Sequence, residues 1–291
     1  MHQGSRMIGF WVFAALGVAS VLAQSVQWPQ PPIQQRQVIE NGRRVYLRYC
    51  VGCHGERGDG QGPAAAMLWP KPRDFRDGVF KFLTVPRGDL PPDRDLFRIV
   101  THGLPGSAMP SWRLLPEAER WAVIQYIKTF STRWQEESPG QPIEVAPDPY
   151  AFYDPDQIRA EVLPRGEAVY HGLTKCWACH PAYVPADKIA EYLRQFGRGE
   201  EAASIRPDLY KPQKTTDRWG NILFPPDFTR NRLKSVSSLE DLYIRIGAGV
   251  GGTEMPVWKG QIPEEDLWAV TYYVASLIEK RGISLPRRRP L

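Results

Sequence analysis

Two short stretches of this chain combine thiols and imidazoles at a spacing that suits haem attachment. Residues 50–54 read C-V-G-C-H and residues 176–180 read C-W-A-C-H, so both follow the pattern C-x-x-C-H. In this pattern the two thiols add to the vinyl groups of a porphyrin, and the histidine becomes an axial ligand of the iron. The motifs use all four cysteines of the chain. The residues predicted to bind two haems c are Cys50, Cys53, His54, Cys176, Cys179 and His180.

Cysteine pairs also occur in zinc sites and in redox motifs, so two other chemistries have to be weighed against haem attachment. A four-cysteine zinc site usually takes its pairs from neighbouring stretches, whereas these two pairs lie far apart in the chain. A redox C-x-x-C of thioredoxin type expects a βαβ context, which the sequence lacks. Neither chemistry requires a histidine directly after the second cysteine, and both motifs have one. The repeated histidine therefore favours haem.

A second repeat supplies a sixth ligand for each iron. Residues 106–112 read G-S-A-M-P-S-W and align with G-T-E-M-P-V-W at 252–258, downstream of the first and second motif respectively. Thioether sulfur is a soft ligand that suits iron, and His/Met ligation favours a raised potential. Met255 is the only methionine of the second half. In the first half Met67 competes with Met109, but it lies in an alanine-rich stretch without a counterpart. The predicted iron ligands are His54, Met109, His180 and Met255.

Helices are expected to position these ligands. Residues 38–49 place apolar side chains on one face and predict a helix that runs into the first motif. Pro116 and Pro263 each precede acidic residues and an apolar repeat, which is typical of the first position of an amphipathic helix. We therefore expect an all-α fold in which one such helix closes each half.

The loop after the first motif, residues 55–63, is rich in glycine. It lacks the lysine and the Ser/Thr of a phosphate-binding P-loop. We expect it to bring backbone close to the porphyrin, with the carbonyl of Pro63 accepting a hydrogen bond from the second nitrogen of the His54 imidazole. His180 is followed by Pro181 and has no such loop, so the sequence names no equivalent partner for it.

The repeats and the composition divide the chain into five segments. The second half is longer between its histidine and its methionine, and the extra residues fall between Tyr183 and Pro225, where a lid over the haem edge and a partner-binding element are both open interpretations. Within them Ile189, Leu193 and Phe196 share one face of a predicted helix. The predicted segments are 1–23 (secretory leader or uncleaved membrane anchor), 24–35 (spacer), 36–133 (first haem domain), 134–165 (proline-rich acidic linker) and 166–291 (second haem domain).

The charge and the N-terminal residues bear on partners and location. The formal net charge is +5, but haem carboxylates would reduce it, and a docking surface for an acidic protein or a lipid explains it as well as nucleic acid does. We predict no nucleic-acid partner. The apolar run from Met7 to Leu22 follows Arg6, a layout typical of a secretory leader, and its length also permits an N-terminal anchor in the membrane. Both outcomes place the remaining chain on the exported side of the cytoplasmic membrane, in the periplasm or its equivalent.

The two C-x-x-C-H motifs with their Met-Pro segments resemble the tandem di-haem cytochromes c of class I type, over roughly residues 36–133 and 166–282. More loosely, P-R-D-F at 72–75 and M-P-S-W at 109–112 with the closing helix resemble the di-haem electron-transfer subunits of respiratory oxidoreductases, including the nitrate-reductase type. The resemblance implies two tandem helical domains and two covalently bound haems c. It also implies one-electron transfer between exported or membrane-bound redox proteins of a respiratory chain, without catalysis.

Two other functions stay open at this point. A di-haem enzyme, such as a peroxidase or an oxidase of small sulfur compounds, would need one iron that is open or unusually ligated. A metal-binding or structural protein without haem would use the cysteines for another purpose. Irons held on both sides by histidine and methionine leave no position for a substrate, which favours the electron carrier, and loss of Met255 from the iron would favour the enzyme.

Overall fold

The computed structural model describes residues 35–287, and over this range the chain is all-α, as predicted, apart from one short hairpin. The predicted leader or anchor at residues 1–23 lies outside the described residues. Among residues 35–287 no helix combines the length and the apolar character that crossing a membrane requires. The α-helices are α1 (Gln35–Tyr49), α2 (Val51–His54), α3 (Asp93–His102), α4 (Glu117–Lys128), α5 (Arg133–Glu136), α6 (Pro155–Gln157), α7 (Leu163–Ala168), α8 (Ala186–Gln195), α9 (Leu239–Ala248) and α10 (Glu264–Glu279). Tighter or wider helical turns cover Ala65–Met67, Ile158–Val162, Val169–Leu173, Cys176–Ala178 and Gly199–Ser204, and the strands are β1 (Thr215–Thr216) and β2 (Ile222–Leu223).

The first of two hydrophobic clusters lies where α1 crosses α4, and we call residues 35–137 the first lobe. Gly42 makes the crossing possible, because a Cβ atom at this position would lie 2.0 Å from the carbonyl oxygen of Ala122. Around the crossing α1 buries Tyr46 and α4 buries Ile124 completely. The predicted helix of residues 38–49 is thus present as α1, and it leads directly into α2, which carries the first motif.

The second cluster lies where α7 crosses α10, and we call residues 155–287 the second lobe. A glycine again permits the crossing, since a Cβ atom on Gly166 would lie 2.1 Å from the carbonyl oxygen of Ala269. Both predicted closing helices are therefore present, as α4 and α10. Pro116 and Pro263 lie at their N-caps, one position before the place predicted for them.

The second lobe begins within the stretch that the sequence predicted as linker. Asp154 starts a helix there, because its side chain accepts hydrogen bonds from the backbone N–H groups of Asp156 and Gln157, and Gln157 bonds back to the backbone of Asp154. This reciprocal capping box, with Pro155 at the first helical position, is a strong helix start signal. Residues 155–165 are consequently helical, and the non-helical connection covers residues 138–154 only.

This connecting segment, residues 138–154, is bonded to both lobes. The backbone N–H of Ile143 donates to the carbonyl of Thr84 in the first lobe at 2.7 Å. In the second lobe the indole N–H of Trp268 donates to the carbonyl of Ala146 at 3.1 Å. The segment is therefore fixed in place despite its proline content.

The extra residues of the second lobe form α8, a tight helical turn and a hairpin. The predicted helix is present as α8, which buries Ile189 and Leu193 completely and is followed by Gly197 in the left-handed conformation (φ +69°). Beyond it β1 and β2 pair antiparallel around a turn that contains Trp219. The tip of this hairpin contacts the first lobe, a role that the sequence did not reveal.

Candidate haem sites

Both C-x-x-C-H motifs open onto one connected cavity of about 940 Å³. The structure brings every predicted ligand and attachment residue to the wall of this cavity, while the competing Met67 is 83% exposed. None of the four thiols is joined in a disulfide, so each is available for a thioether bond. The predicted residues on the cavity wall are Cys50, Cys53, His54, Met109, Cys176, Cys179, His180 and Met255.

Each motif is a single helical turn, which places its thiols and its imidazole on one side. The backbone N–H of His54 donates to the carbonyl of Cys50 at 2.9 Å, and that of His180 donates to Cys176 at 2.8 Å. Because an i to i−4 bond closes one turn, the histidine lies one turn after the first cysteine and next to the second. This geometry suits attachment of a porphyrin edge by two thiols with an imidazole below it.

The His54 imidazole is held by a backbone carbonyl, but by a different one from that predicted. Its Nδ1 lies 3.0 Å from the carbonyl oxygen of Arg73, so the prediction of Pro63 is wrong. The glycine-rich loop turns back on the motif instead. The N–H groups of Gly60 and Gly62 donate to the carbonyls of His54 and Cys53.

The His180 imidazole has an equivalent partner. Its Nδ1 lies 2.9 Å from the carbonyl oxygen of Pro226. Arg73 and Pro226 occupy the same place in two copies of P-x-D-F, namely P-R-D-F at 72–75 and P-P-D-F at 225–228. An alignment of these two copies could have predicted both carbonyls as partners of the imidazoles. It was missed because the extra residues of the second lobe precede its copy and disturb the spacing.

The phenylalanine of each P-x-D-F copy stacks on the imidazole. The ring centroids of Phe75 and His54 are 4.5 Å apart at 19°, and those of Phe228 and His180 are 4.7 Å apart at 22°. Each imidazole is therefore fixed by one hydrogen bond and one aromatic face. A ring held in this way keeps one orientation, as an iron ligand requires.

The aspartate of each copy shapes the turn that carries the carbonyl. Asp74 accepts a hydrogen bond from the backbone N–H of Arg76 at 3.0 Å, and Asp227 accepts one from Thr229 at 2.9 Å. An aspartate that bonds to the backbone two residues further on forms an Asx turn. The two copies thus share the fold of the turn as well as the sequence.

Burial keeps both imidazoles neutral. It lowers the pKa of His54 and lowers that of His180 to about 4, although the carbonyl bonds act in the opposite direction. With Nδ1–H donating to a carbonyl, the lone pair belongs to Nε2, which is the arrangement of metal-binding histidines. Burial also raises the pKa of Cys50 to about 12 and that of Cys176 to about 11, so these thiols are protonated at neutral pH, unlike the thiolates of redox C-x-x-C motifs. The donor set therefore fits haem c.

The two methionines lie on loops with the same local structure. The backbone N–H of Met109 donates to the hydroxyl oxygen of Ser107 at 3.2 Å, and that of Met255 donates to the hydroxyl oxygen of Thr253 at 3.2 Å. Each loop follows a helix-ending glycine in the left-handed region, Gly103 after α3 and Gly249 after α9. These common contacts explain why the G-x-x-M-P repeat is visible in the sequence.

The remaining histidines of the described residues are placed differently. His102 is exposed at the end of α3. His171 is fully buried, and both of its ring nitrogens have partners, with Nδ1 bonded to the carbonyl of Glu167 at 2.9 Å and Nε2 accepting from the N–H of Tyr183 at 3.2 Å. Among residues 35–287 no group of three or more His, Cys, Asp and Glu side chains could hold a metal ion.

The fold and the site define an all-α protein built to hold haem c. The family model of cytochrome c oxidase, cbb3-type, subunit III matches residues 37–127, which contain the first motif and Met109. Among solved structures, a chain of the Kuenenia stuttgartiensis reducing HAO-like protein complex shares 31% identity with a TM-score of 0.66, covering 84% of this chain and 99% of that chain. The comparison with curated proteins finds no match. This chain belongs to the cytochrome c family, whose members bind haem c covalently and transfer electrons.

Proposed function

We propose that this chain is a di-haem cytochrome c that carries single electrons between redox proteins. The observation that supports it best is the duplicated site. In both lobes a half-buried, neutral imidazole is fixed through Nδ1 to a backbone carbonyl and shares a cavity with a Met-Pro loop. The proposed iron ligands are His54 with Met109 and His180 with Met255. The proposed thioether bonds are formed by Cys50, Cys53, Cys176 and Cys179.

When bound, each haem takes up and releases one electron at its iron. The residues of the chain determine the conditions for this exchange. The imidazole and the thioether would hold each iron from two sides and leave no position for a substrate, and the methionine would favour a raised potential. Burial of the imidazoles keeps them neutral and available as ligands. The chain is therefore a carrier and has no reaction of its own.

The partners are redox proteins of a respiratory chain, and the chain works as an electron-transfer subunit beside them. Support comes from the similar chain of the reducing HAO-like complex, which is matched over nearly its whole length. The protein works on the exported side of the cytoplasmic membrane. Support for this location comes from residues 1–23, whose sequence suits a leader or an anchor.

Haem counting and ligand spectroscopy of the exported holoprotein test the proposal. We expect two haems per chain that stay attached after denaturation, and a sulfur-to-iron charge-transfer band from both ferric haems. Met109→Ala and Met255→Ala should each remove half of the band, whereas the control Met67→Leu should leave it unchanged, because Met67 is exposed. Ready binding of carbon monoxide or cyanide to the folded wild-type protein would overturn the carrier and support a di-haem enzyme.

A further inference from the structure

The first lobe reaches across to the methionine loop of the second, residues 249–256. Arg87 belongs to the first lobe, and its guanidinium Nη1 donates to the carbonyl of Thr253 at 2.6 Å and to that of Met255 at 3.4 Å. Its backbone N–H donates to the carbonyl of Ala248 at 2.9 Å. Hydrogen bonds from a charged donor are among the stronger ones in proteins. One first-lobe residue therefore bonds to the loop that carries the predicted ligand and to the last residue of α9, directly before the loop.

The two backbones also meet directly at this place. A Cβ atom on Gly251 would lie 2.0 Å from the carbonyl oxygen of Phe80, so no larger residue fits there without displacement. Phe80 and Arg87 belong to the same stretch of the first lobe. The methionine loop is thus packed against that stretch as well as bonded to it.

Trp219 lies on another side of the same loop. A Cβ atom on Gly252 would lie 2.4 Å from its ring, and its indole N–H donates to the Asp77 carboxylate at 3.0 Å. The guanidinium carbon of Arg73 lies 3.7 Å from the centre of the indole ring, a favourable cation–π distance. Since the carbonyl of Arg73 holds His54, the indole links the surroundings of the first imidazole to the second methionine loop.

A buried ion pair fixes the hairpin tip that carries Trp219. Lys81 of the first lobe lies 2.9 Å from Asp217, and only 11% and 2% of the two side chains are exposed. Asp217 also accepts hydrogen bonds from the backbone N–H groups of Trp219 and Asn221. Removing one partner of a buried ion pair leaves the other charge buried without compensation, which strongly destabilises the protein. The pair therefore favours one position of the hairpin tip on the first lobe.

Within residues 35–287, the first methionine loop, residues 103–110, receives no hydrogen bond from the second lobe. The carbonyl of Met109 accepts from the N–H of Leu104 at 3.1 Å, and the hydroxyl of Ser111 donates to the carbonyl of Thr101 at 2.7 Å, both within the first lobe. The difference between the loops is therefore one of support and not of local fold.

We propose that Arg87 is a positioning residue for Met255, so that methionine ligation of the second iron depends on contact with the first lobe. The inference rests on the proposed function, because it requires Met255 to be an iron ligand. Without the Arg87 bonds, the carbonyls of Thr253 and Met255 lose a charged partner and the loop moves more freely. The first iron keeps its methionine in either case.

The test uses the full-length two-haem protein. Because Arg87 is exposed and water competes for its bonds, Arg87→Ala should raise the ratio of methionine-free to methionine-bound second haem about two- to tenfold. It should reduce the sulfur-to-iron band by up to half and admit carbon monoxide to one haem. In a Met109→Ala background, where the remaining band belongs to the second haem, the same change should lower this band by twice the fraction that it removes from the wild-type band. Arg87→Lys, which keeps a cationic donor, should restore part of the band. Arg94→Ala is the matched control, because Arg94 is exposed like Arg87 but lies on α3, outside the stretch that contacts the second methionine loop.

The outcomes separate the two proposals. If the wild-type protein shows a methionine band from both haems and Arg87→Ala leaves both unchanged, the positioning role is wrong and the proposed function stands. If the wild-type band lacks the Met255 share, the proposed ligation itself fails. Should Arg87→Ala not fold, Trp219→Phe tests the same contact from its other side. It removes the indole N–H bond to Asp77 and should shift the second haem in the same direction by a smaller amount.

Discussion

The two haem motifs present the same carbonyl groups to their surroundings, and the two lobes satisfy them by different means. In the first lobe the glycine-rich loop supplies backbone donors, with Gly60 bonded to the carbonyl of His54 at 2.9 Å. In the second lobe a side chain supplies the donors. The guanidinium of Arg206 donates to the carbonyl of His180 at 2.9 Å and to that of Trp177 at 3.0 Å.

This difference explains what the extra residues of the second lobe do. Arg206 lies within them, and so does Gln213, whose backbone N–H donates to the carbonyl of Cys179 at 2.8 Å. A planar guanidinium with five N–H donors can serve several carbonyls at once, which a glycine loop does with successive amides. The extra residues are therefore part of the second site, in addition to supplying the hairpin that contacts the first lobe.

The largest loss of stability is expected in the first lobe, from a change in the glycine-rich loop. Gly60 has φ +74°, and a Cβ atom there would lie 2.7 Å from the carbonyl oxygen of Pro72, next to the Arg73 carbonyl that holds His54. Gly60→Val should lower the free energy of unfolding by about 2–5 kcal/mol and disturb the spectrum of the first haem only. Chemical denaturation and the haem spectra measure both effects.

A glycine with the same backbone but open space provides the control. Gly282 has φ +73° and no atom within 4 Å of a built Cβ, so Gly282→Val should cost about 1–2 kcal/mol. Equal losses for both variants would show that the contact with Pro72 has no energetic weight.

The second prediction concerns Arg206, the side chain that supplies the donors in the second lobe. Arg206→Ala removes the donor to the carbonyls of Trp177 and His180, and we expect about 2–4 kcal/mol of destabilisation with changes confined to the second haem. Arg206→Lys should restore only part of this, since an ammonium group lacks the planar arrangement of donors. The control Arg159→Ala alters an arginine whose side chain is 64% exposed and should stay within about 0.5 kcal/mol. Unchanged stability of Arg206→Ala would mean that solvent can replace the guanidinium.

The third prediction concerns acid. Tyr46 and Tyr170 each donate a hydrogen bond to the carbonyl of the residue after the motif histidine. The residue that follows the tyrosine differs between the lobes: it is Leu47 in the first and the buried His171 in the second. Burial lowers the pKa of His171 to about 4 from 6.5. The folded state therefore binds fewer protons than the unfolded state within this window, and the free energy of unfolding falls by about 3 kcal/mol as the pH drops through it.

Acid unfolding followed by circular dichroism measures this fall in the free energy of unfolding. His171→Gln keeps a donor and an acceptor without titrating, so we expect its stability to depend less steeply on pH between about 6.5 and 4. A variant curve parallel to that of the wild type would assign the acid sensitivity to another group.

The smallest effect is expected from a tyrosine hydroxyl bond that both lobes share. The hydroxyl of Tyr46 donates to the carbonyl of Gly55 at 2.7 Å, and that of Tyr170 donates to Pro181 at 2.9 Å, in each case the residue after the motif histidine. Tyr46→Phe and Tyr170→Phe should each cost about 1–2 kcal/mol in thermal unfolding. Tyr210→Phe, at a residue that is 63% exposed, serves as the control. Clearly unequal losses would show that the two hydroxyls are not equivalent.

Sequence patterns predicted the local features of this molecule and missed the distant ones. The all-α class, the closing helices and α8 follow from periodicity, because each helix shows its buried face within its own residues. The start of the second lobe at Asp154 was missed although its capping box is local, because the surrounding prolines suggested a linker. The predicted ligands line one cavity, and their bonds to iron stay a prediction.

The partners of the ligands were harder to predict for a physical reason. A backbone carbonyl has no residue type, so nothing marked Arg73 and Pro226 as acceptors except the repeated P-x-D-F around them. Arg206 and Arg87 look like ordinary surface arginines in the sequence, and only the fold shows which carbonyls they meet. The acceptor for His54 is Arg73 and not the predicted Pro63, because the fold brings the turn at residues 72–75 beside the imidazole.

Main-chain acceptors for the two imidazoles have an evolutionary consequence. Point mutation can delete a carboxylate or an amide that polarises a histidine, but it cannot delete a peptide oxygen. The electron-donating strength of His54 and His180 is therefore insulated from most single amino-acid replacements. Changes that displace the turns at Asp74 and Asp227 can still alter it, so inherited tuning through the carbonyl acts through backbone shape.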